Sequence, residues 1–347
     1  MRALLSSGSL FRSALILLGA ALLPATSSAD EGLARCAKLE NIDERLACYD
    51  ELARTTQSTP VGPVASPSAS YFTKAWKLGP NDGGVRHLAD FLAYRPNYID
   101  LHWTNRPNQQ PRSPATGRAP LEDVDKAEFK FQASFKTELI SRQGFERAGV
   151  TRALGHVGID SVRLWFGHTQ KMDWQAFNHG SSRPIRDANY EPEAILTLGT
   201  GNPGNGLKLI NLGLVHESNG LEQFEHRGWS RVYAQGGWEW DRFSVLARAW
   251  HVIHESDDDN PNIGRFTGWG DLVTRYQSAG GYVTSALMRR NVQTARGFVQ
   301  LDWATPRLNL FGELKLHAQL SSGYGETLID YNHRQTTIGV GVSFGDW

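Results

Sequence analysis

The sequence predicts an all-β fold: an antiparallel transmembrane β-barrel, twelve-stranded, with a short α-helical, disulfide-stapled segment before it. Three observations predict it. The N-terminus has the build of an export signal, and later segments alternate apolar and polar residues over lengths that cross a bilayer. The composition, with 35 Gly, 11 Trp and 10 Tyr, suits a turn-rich barrel with aromatic girdles at the membrane boundaries.

Residues 1–29 read as a signal peptide. Arg2 and Arg12 flank a polar start, an apolar run extends from Ala14 to Leu23, and Pro24, Ser27, Ser28 and Ala29 follow. A basic start, a short apolar stretch and small residues at its end are the features of a secretory signal, with cleavage expected after Ala29. The run falls short of the roughly 20 apolar residues of a membrane-spanning helix, which disfavours an uncleaved anchor.

Residues 30–54 contain both cysteines, Cys36 and Cys48. Exported thiols tend to pair, and no His lies nearby to suggest a metal site. Leu33, Cys36, Leu39, Ile42, Leu46, Tyr49 and Leu52 have roughly helical spacing, which predicts a small helical hairpin stapled by that bond. Residues 55–69 lack charge and are mostly Ser, Thr, Pro, Val and Ala, the composition of an extended linker. Residues 70–347 are then one barrel unit.

The 36 basic and 36 acidic residues cancel, and nothing suggests a nucleic-acid partner. A transmembrane strand needs about 9–11 residues alternating outward apolar with inward polar or small side chains. In 310–321, Leu310, Gly312, Leu314, Leu316, Ala318 and Leu320 oppose Glu313, Lys315, His317, Gln319 and Ser321. Phe129, Phe131, Ala133 and Phe135 likewise oppose Glu128, Lys130, Gln132 and Ser134, and Ile338, Val340, Val342 and Phe344 oppose Thr337, Gly339, Gly341 and Ser343. Weaker segments lie near 87–94, 97–104, 160–168, 189–198, 206–218, 229–240, 242–254, 268–277, 280–289 and 295–303. An even strand number is expected, so twelve are predicted and one short segment is demoted. A soluble β-sandwich is the alternative, since alternating strands also serve there.

Strand parity then places chemistry on the lipid side. Ile210, Leu212 and Leu214 form the apolar face of one strand, and the same parity carries His216 and Ser218 outward while Asn211, Gly213, Val215 and Glu217 point inward. On the next strand Ser230 shares the parity of Val232, Ala234, Gly236 and Trp238. A hairpin through 220–228 brings Ser230 beside His216. Polar side chains facing lipid are costly, so three in register point to function. A serine hydroxyl beside a base is the arrangement of acyl transfer, and on this surface the ester would be that of a membrane lipid. Residues that only bond headgroups are the plainer alternative. His254, Glu255 and Ser256 repeat the tripeptide but run into Asp257, Asp258, Asp259 and Asn260, which reads as a solvated loop.

Ordered blocks add a resemblance. His216-Glu217-Ser218-Asn219-Gly220 and Gly228-Trp229-Ser230-Arg231-Val232-Tyr233 resemble bacterial outer-membrane phospholipase A. So do Thr169-Gln170-Lys171, Trp174-Gln175, Asn189-Tyr190-Glu191-Pro192, Asp258-Asp259-Asn260-Pro261, Ser322-Gly323-Tyr324-Gly325-Glu326 and Leu328-Ile329-Asp330-Tyr331-Asn332. The resemblance covers the chain from about residue 85 onward. It implies a twelve-stranded barrel in the bacterial outer membrane that hydrolyses sn-1 and sn-2 acyl esters of phospholipids, depends on Ca2+ and is activated as a homodimer. Ser218 would be the nucleophile, His216 the base, and Gly220 part of the oxyanion region; Gln170 would lie at the dimer interface.

Two positions depart from the family pattern. The third catalytic residue of the family is an asparagine, where this chain has Ser230. Calcium there is held by backbone carbonyls, matching Ser182 from the partner subunit and Leu221, and by a serine hydroxyl, matching His226. Glu222 or Glu225 could compensate for the missing hydroxyl. A lipid A deacylase is a second enzymatic reading, and a catalytically impaired barrel acting as a pore or structural protein is a third.

Overall fold

The structure is a computed structural model that describes residues 35–58, 70–79, 90–180, 185–253, 258–308 and 313–345. The expected signal peptide and the second His-Glu-Ser tripeptide lie outside these residues. The chain divides into two units, 1–68 and 69–347.

In the first unit, helix α1 spans Ile42–Ser58. Asn41 Oδ1 accepts from Asp43 N at 2.9 Å, and Asp43 and Glu44 in the first turn suit the positive end of the helix dipole. Cys36 and Cys48 form the expected disulfide, their Cα atoms 5.6 Å apart. The helix runs into the stretch read as linker, ending at Ser58, because no helix-breaking residue intervenes before Pro60.

The second unit opens with a short helix, α2 (Tyr71–Ala75). It is followed by β1 (Asn97–Thr104), β2 (Ala127–Ile140), β3 (Ser161–Trp174), β4 (Ile185–Gly199), β5 (Gly206–Ser218) and β6 (Gly228–Trp240). The chain continues through β7 (Phe243–Ile253), β8 (Gly270–Gln277), β9 (Val283–Arg290), β10 (Gly297–Ala304), β11 (Lys315–Tyr324) and β12 (Arg334–Phe344). Each strand pairs antiparallel with the next, and β12 returns to β1, with Thr337 opposite Thr104 and Phe344 opposite Asn97. Closure leaves no open edge to the membrane, as a strand-built span requires. The expected strand at 87–94 reduces, in its described part, to Leu92–Ala93 laid against Lys136 and Phe135 of β2.

The predicted alternation holds. On β11, Leu316 and Leu320 are exposed to the outside while Lys315, His317, Gln319 and Ser321 are buried in the lumen. The same parity exposes Ile338 and Val340 on β12, Ile99 and Leu101 on β1, and Leu212 and Leu214 on β5. Loops are longer on average at the end where β5 finishes, which has 105–126, 175–184, 219–227, 254–269, 291–296 and 325–333; the other end has the short turns 200–205, 241–242 and 278–282, the connection 305–314 and one long connection, 141–160. Long outside loops and short periplasmic turns mark the first end as extracellular.

Ion pairs fill the lumen. Arg186 reaches Glu128 at 3.0 Å and Asp330 at 2.9 Å, and Arg95 reaches Glu191 at 2.7 Å and Glu193 at 3.0 Å. Lys130 pairs with Glu326 from the loop after β11. Burial alone would raise the Glu326 carboxyl, but the ammonium beside it outweighs that and holds it down at about 2. At the opposite end an apolar cluster lies beside the buried Arg163–Glu138 ion pair. Phe72, Trp76 and Leu78 pack inside the barrel on Trp165, Ile195 and Leu209. The N–H groups of Tyr71 and Phe72 donate to the two oxygens of Glu239 at 2.8 and 2.9 Å, and Lys136 Nζ lies 3.7 Å from the centre of the Trp76 ring. Residues 70–79 therefore form an internal plug, where the sequence suggested only the start of the barrel.

Candidate active site

Strands β5 and β6 carry the polar residues predicted on the outer wall, and their register sets His216 opposite Ser230 and Ser218 opposite Gly228. His216 Nδ1 and Ser230 Oγ are 2.9 Å apart. His216 is exposed and Ser218 half-buried, two residues apart on one face and so roughly 6.6 Å apart along the strand. On the other side Ser218 faces Tyr190 of β4. The structure thus bonds the hydroxyl of Ser230 to the His216 imidazole and sets Ser218 on the same wall, one residue pair further along β5.

The lumen face beneath them is tied down. Glu217 Oε2 accepts from Trp229 Nε1 and from Arg231 Nη2, both at 2.9 Å. Past Ser218 the chain leaves the strand through Asn219, which is 2 % exposed. Its Oδ1 accepts from Arg227 N at 2.9 Å and its Nδ2 donates to the Glu225 carbonyl at 2.9 Å. That brace closes the loop 219–227 and presents Gly220, in the left-handed conformation at φ 61°, two residues beyond Ser218. A Cβ there would meet the Tyr190 ring at 3.9 Å. Arg227, fully buried, donates to the carbonyls of Phe224 at 2.9 Å and His226 at 2.6 Å; burial pushes its guanidinium below the ordinary value.

The loop after β7 supplies what the sequence reading missed. Asp258, Asp259 and Asn260 read as a solvated stretch, yet Asn260 is wholly buried and its Oδ1 accepts from Gly228 N at 2.9 Å. Asp259 pairs with His226 Nδ1 and its carbonyl accepts from Ser113. A cleft of about 90 Å³ opens here, lined by His216, His226, Gly228, Trp229, Val252, Ile253, Asp258 and Asp259. The signal available in the sequence was the Asp-Asp-Asn-Pro block itself; its role depends on a contact between distant loops.

The expected calcium ligands fare differently. Ser182 lies outside the described residues, and Leu221 stands half-exposed in the loop. His226 offers nitrogen rather than oxygen, and that nitrogen is engaged by Asp259; calcium takes oxygen ligands. Among the described residues no three His, Cys, Asp or Glu side chains are placed to hold a metal, so Glu222 and Glu225 do not complete a carboxylate site. The donor set present does not fit the one the resemblance implies. Gln170 sits on the lipid-facing side of β3, half-exposed, with Nε2 3.4 Å from Met172 Sδ.

Comparison with known proteins decides the family. The profile of the phospholipase A1 family matches residues 74–344. The chain belongs to the phospholipase A1 family. A relative from Neisseria meningitidis serogroup B is 32% identical across 94% of both chains. The phospholipase A1 of Klebsiella pneumoniae is 33% identical over 73% of this chain and 82% of its own length. The outer membrane phospholipase A of Escherichia coli superposes with a TM-score of 0.63 at 30% identity, covering 76% of this chain and 95% of the other. A Salmonella typhi outer membrane phospholipase, solved as a dimer with bound calcium, superposes at 0.61 and 30% identity over 75% and 94%. This phospholipase is accordingly an ester hydrolase of the bacterial outer membrane.

Proposed function

We propose that this phospholipase hydrolyses the sn-1 and sn-2 esters of membrane phospholipids with Ser218 as nucleophile, His216 as general base and Ser230 orienting the base. The observation that carries this reading is the 2.9 Å bond between His216 Nδ1 and Ser230 Oγ, made on the lipid-facing wall two residues from Ser218. With Nδ1–H donated to Ser230, Nε2 is left as the lone-pair nitrogen. It takes the Ser218 hydroxyl proton as Oγ attacks the ester carbonyl. The tetrahedral intermediate collapses, and the lysophospholipid alkoxide leaves with that proton from His216. Water then attacks the acyl-serine, giving its proton to His216; the fatty acid departs and Ser218 recovers the proton. Developing negative charge falls near Gly220, where backbone N–H groups can receive it.

A hydroxyl in place of an amide gives the imidazole a smaller acceptor that is itself a donor, which weakens the orienting bond and leaves it in place. Dimerisation is proposed through the β3 wall bearing Gln170, on the strength of the Salmonella dimer. Calcium enters by the same kinship, but no step is routed through it, because the donors around His226 do not match. The ion-paired lumen and its plug argue against the pore reading.

The test is fatty-acid release from phospholipid in detergent with calcium, for the wild type and Ser218→Ala. Loss of release in the variant is expected; unchanged turnover would remove Ser218 from the mechanism. Purified lipid A as a second substrate separates the deacylase reading. Crosslinking with substrate present should trap a dimer, and exclusively monomeric protein would remove that part of the proposal.

A further inference from the structure

Glu217 sits between the base and the nucleophile in sequence but turns to the other side of the wall. Its side chain is 15% exposed, and Oε2 accepts two hydrogen bonds at 2.9 Å, from Trp229 Nε1 and Arg231 Nη2. Those two donors are the residues on either side of Ser230. The ladder pairs Val215 with Arg231, His216 with Ser230 and Glu217 with Trp229, so one carboxylate oxygen grips β6 immediately before and after the residue that must meet His216. A slip of one residue would turn Ser230 into the lumen, and it would carry both donors away from that oxygen.

The grip is itself held. The Arg231 guanidinium carbon lies 3.8 Å from the centre of the Trp229 ring, and Nη2 also reaches Glu191 Oε1 at 3.3 Å. Glu191 is in turn bound by both Nη atoms of Arg95 at 2.7 and 2.9 Å. Trp229 stacks edge-on against Trp250 of β7, 6.2 Å between centres. The ion-paired lumen thereby reaches the back of the outer-wall site through one side chain.

We propose that Glu217 is a positioning residue for the hydrolysis: from the lumen side it sets the strand register and side-chain angle at which His216 meets Ser230. The proposal rests on the catalytic reading of Ser218, His216 and Ser230. Glu217 touches neither substrate nor the reacting atoms; it acts through Trp229 and Arg231. Small errors of placement are costly in such sites, on the order of a hundredfold for about 1 Å.

The experiment compares the full-length chain with Glu217→Ala and Glu217→Gln in detergent, reading kcat, KM and the rate at which a serine-reactive phosphonate labels Ser218. Heat-modifiable migration reports the folded barrel. In Glu217→Ala, kcat and labelling should fall roughly ten- to a hundredfold while KM changes by less than about twofold. Glu217→Gln keeps an acceptor oxygen and should recover part of the loss. In a Ser230→Ala background, Glu217→Ala should add no further loss, the coupling expected of residues that act through one another. Glu138→Gln, which breaks the Arg163 ion pair at the plug end of the lumen, should lower stability without slowing the labelling. Wild-type kcat in a folded Glu217→Ala barrel, or losses that multiply with Ser230→Ala, would overturn the proposal. If Glu217→Ala fails to fold, Trp229→Phe removes one donor and keeps the ring, and is read by the same criteria. Ser218→Ala is assayed alongside. Activity there would defeat the catalytic reading, whereas an inactive Ser218→Ala with an unimpaired Glu217→Ala would defeat only the positioning role.

Discussion

At the periplasmic end of the barrel, Phe72, Trp76 and Leu78 are buried among Trp165, Ile195 and Leu209. At the extracellular end, the residues around Ser218 are held by Asn219, Arg227, Glu217 and Asn260 through hydrogen bonds to named atoms. Apolar packing is strong and non-directional, and it tolerates small shifts in the atoms it holds. Hydrogen bonds contribute less each but specify angle and distance. The plug therefore adds stability without aiming anything, whereas at the loop end directed hydrogen bonds, set over a second apolar cluster around Trp229, Tyr233 and Trp250, aim the groups proposed for catalysis.

Substitutions at the two ends should separate these roles. The largest expected effect is at the plug: Trp76→Ala empties a buried site and uncovers Lys136, at a cost of about 3–5 kcal/mol. Urea unfolding in micelles should show it, with phosphonate labelling of the folded enzyme unchanged; slowed labelling would mean that the ends are not independent. Next comes Asn219→Ala, which leaves Arg227 N and the Glu225 carbonyl without the brace. It should cost about 1–3 kcal/mol, and we expect most of this in kcat, with only a modest shift of the unfolding midpoint.

A third test uses acid. The Glu326 carboxyl is held at about 2, below its ordinary 4.5, so the folded barrel favours its charged form. Its contribution is complete above about pH 4.5 and is lost as pH falls through about 2. Glu326→Gln should lack that part of the acid-dependent destabilisation, measured as the unfolding midpoint against pH; identical profiles would remove Glu326 as its source. The smallest effect is expected from His226→Ser, which restores a hydroxyl and frees the Asp259 carboxylate. The calcium concentration for half-maximal fatty-acid release should fall, and direct calcium binding by calorimetry should tighten.

The same contrast explains what could be read from the sequence. On β11, Leu316 and Leu320 against Lys315, His317 and Gln319 spell out a lumen and a lipid face because strand parity is local. His216 and Ser230 could be brought together for the same reason, since a hairpin turns one parity into a cross-strand contact. Asp259 and Asn260 were misread because they reach His226 and Gly228 across a long loop, and no period records such a contact. Residues 70–79 were likewise taken only as the start of the barrel. Ser70 caps α2 by accepting from Thr73 N at 3.2 Å, a local signal, but nothing local says that Phe72 and Trp76 turn into a lumen.

Closure of β12 onto β1 also bears on how the chain enters its membrane. Lys130 and Glu326 are 196 residues apart in sequence, and Arg186 and Asp330 are 144 apart. Until the two terminal strands meet, Glu326 and Asp330 are separated from these partners and need water, whereas Lys130 and Arg186 already face Asp173 and Glu128 on nearby strands. Burying any one of them alone would cost several kcal/mol. The seam between the first and last strands is therefore the step at which Glu326 and Asp330 reach the lumen cations. Closing the barrel is thereby favoured by the same side chains that brace the finished wall.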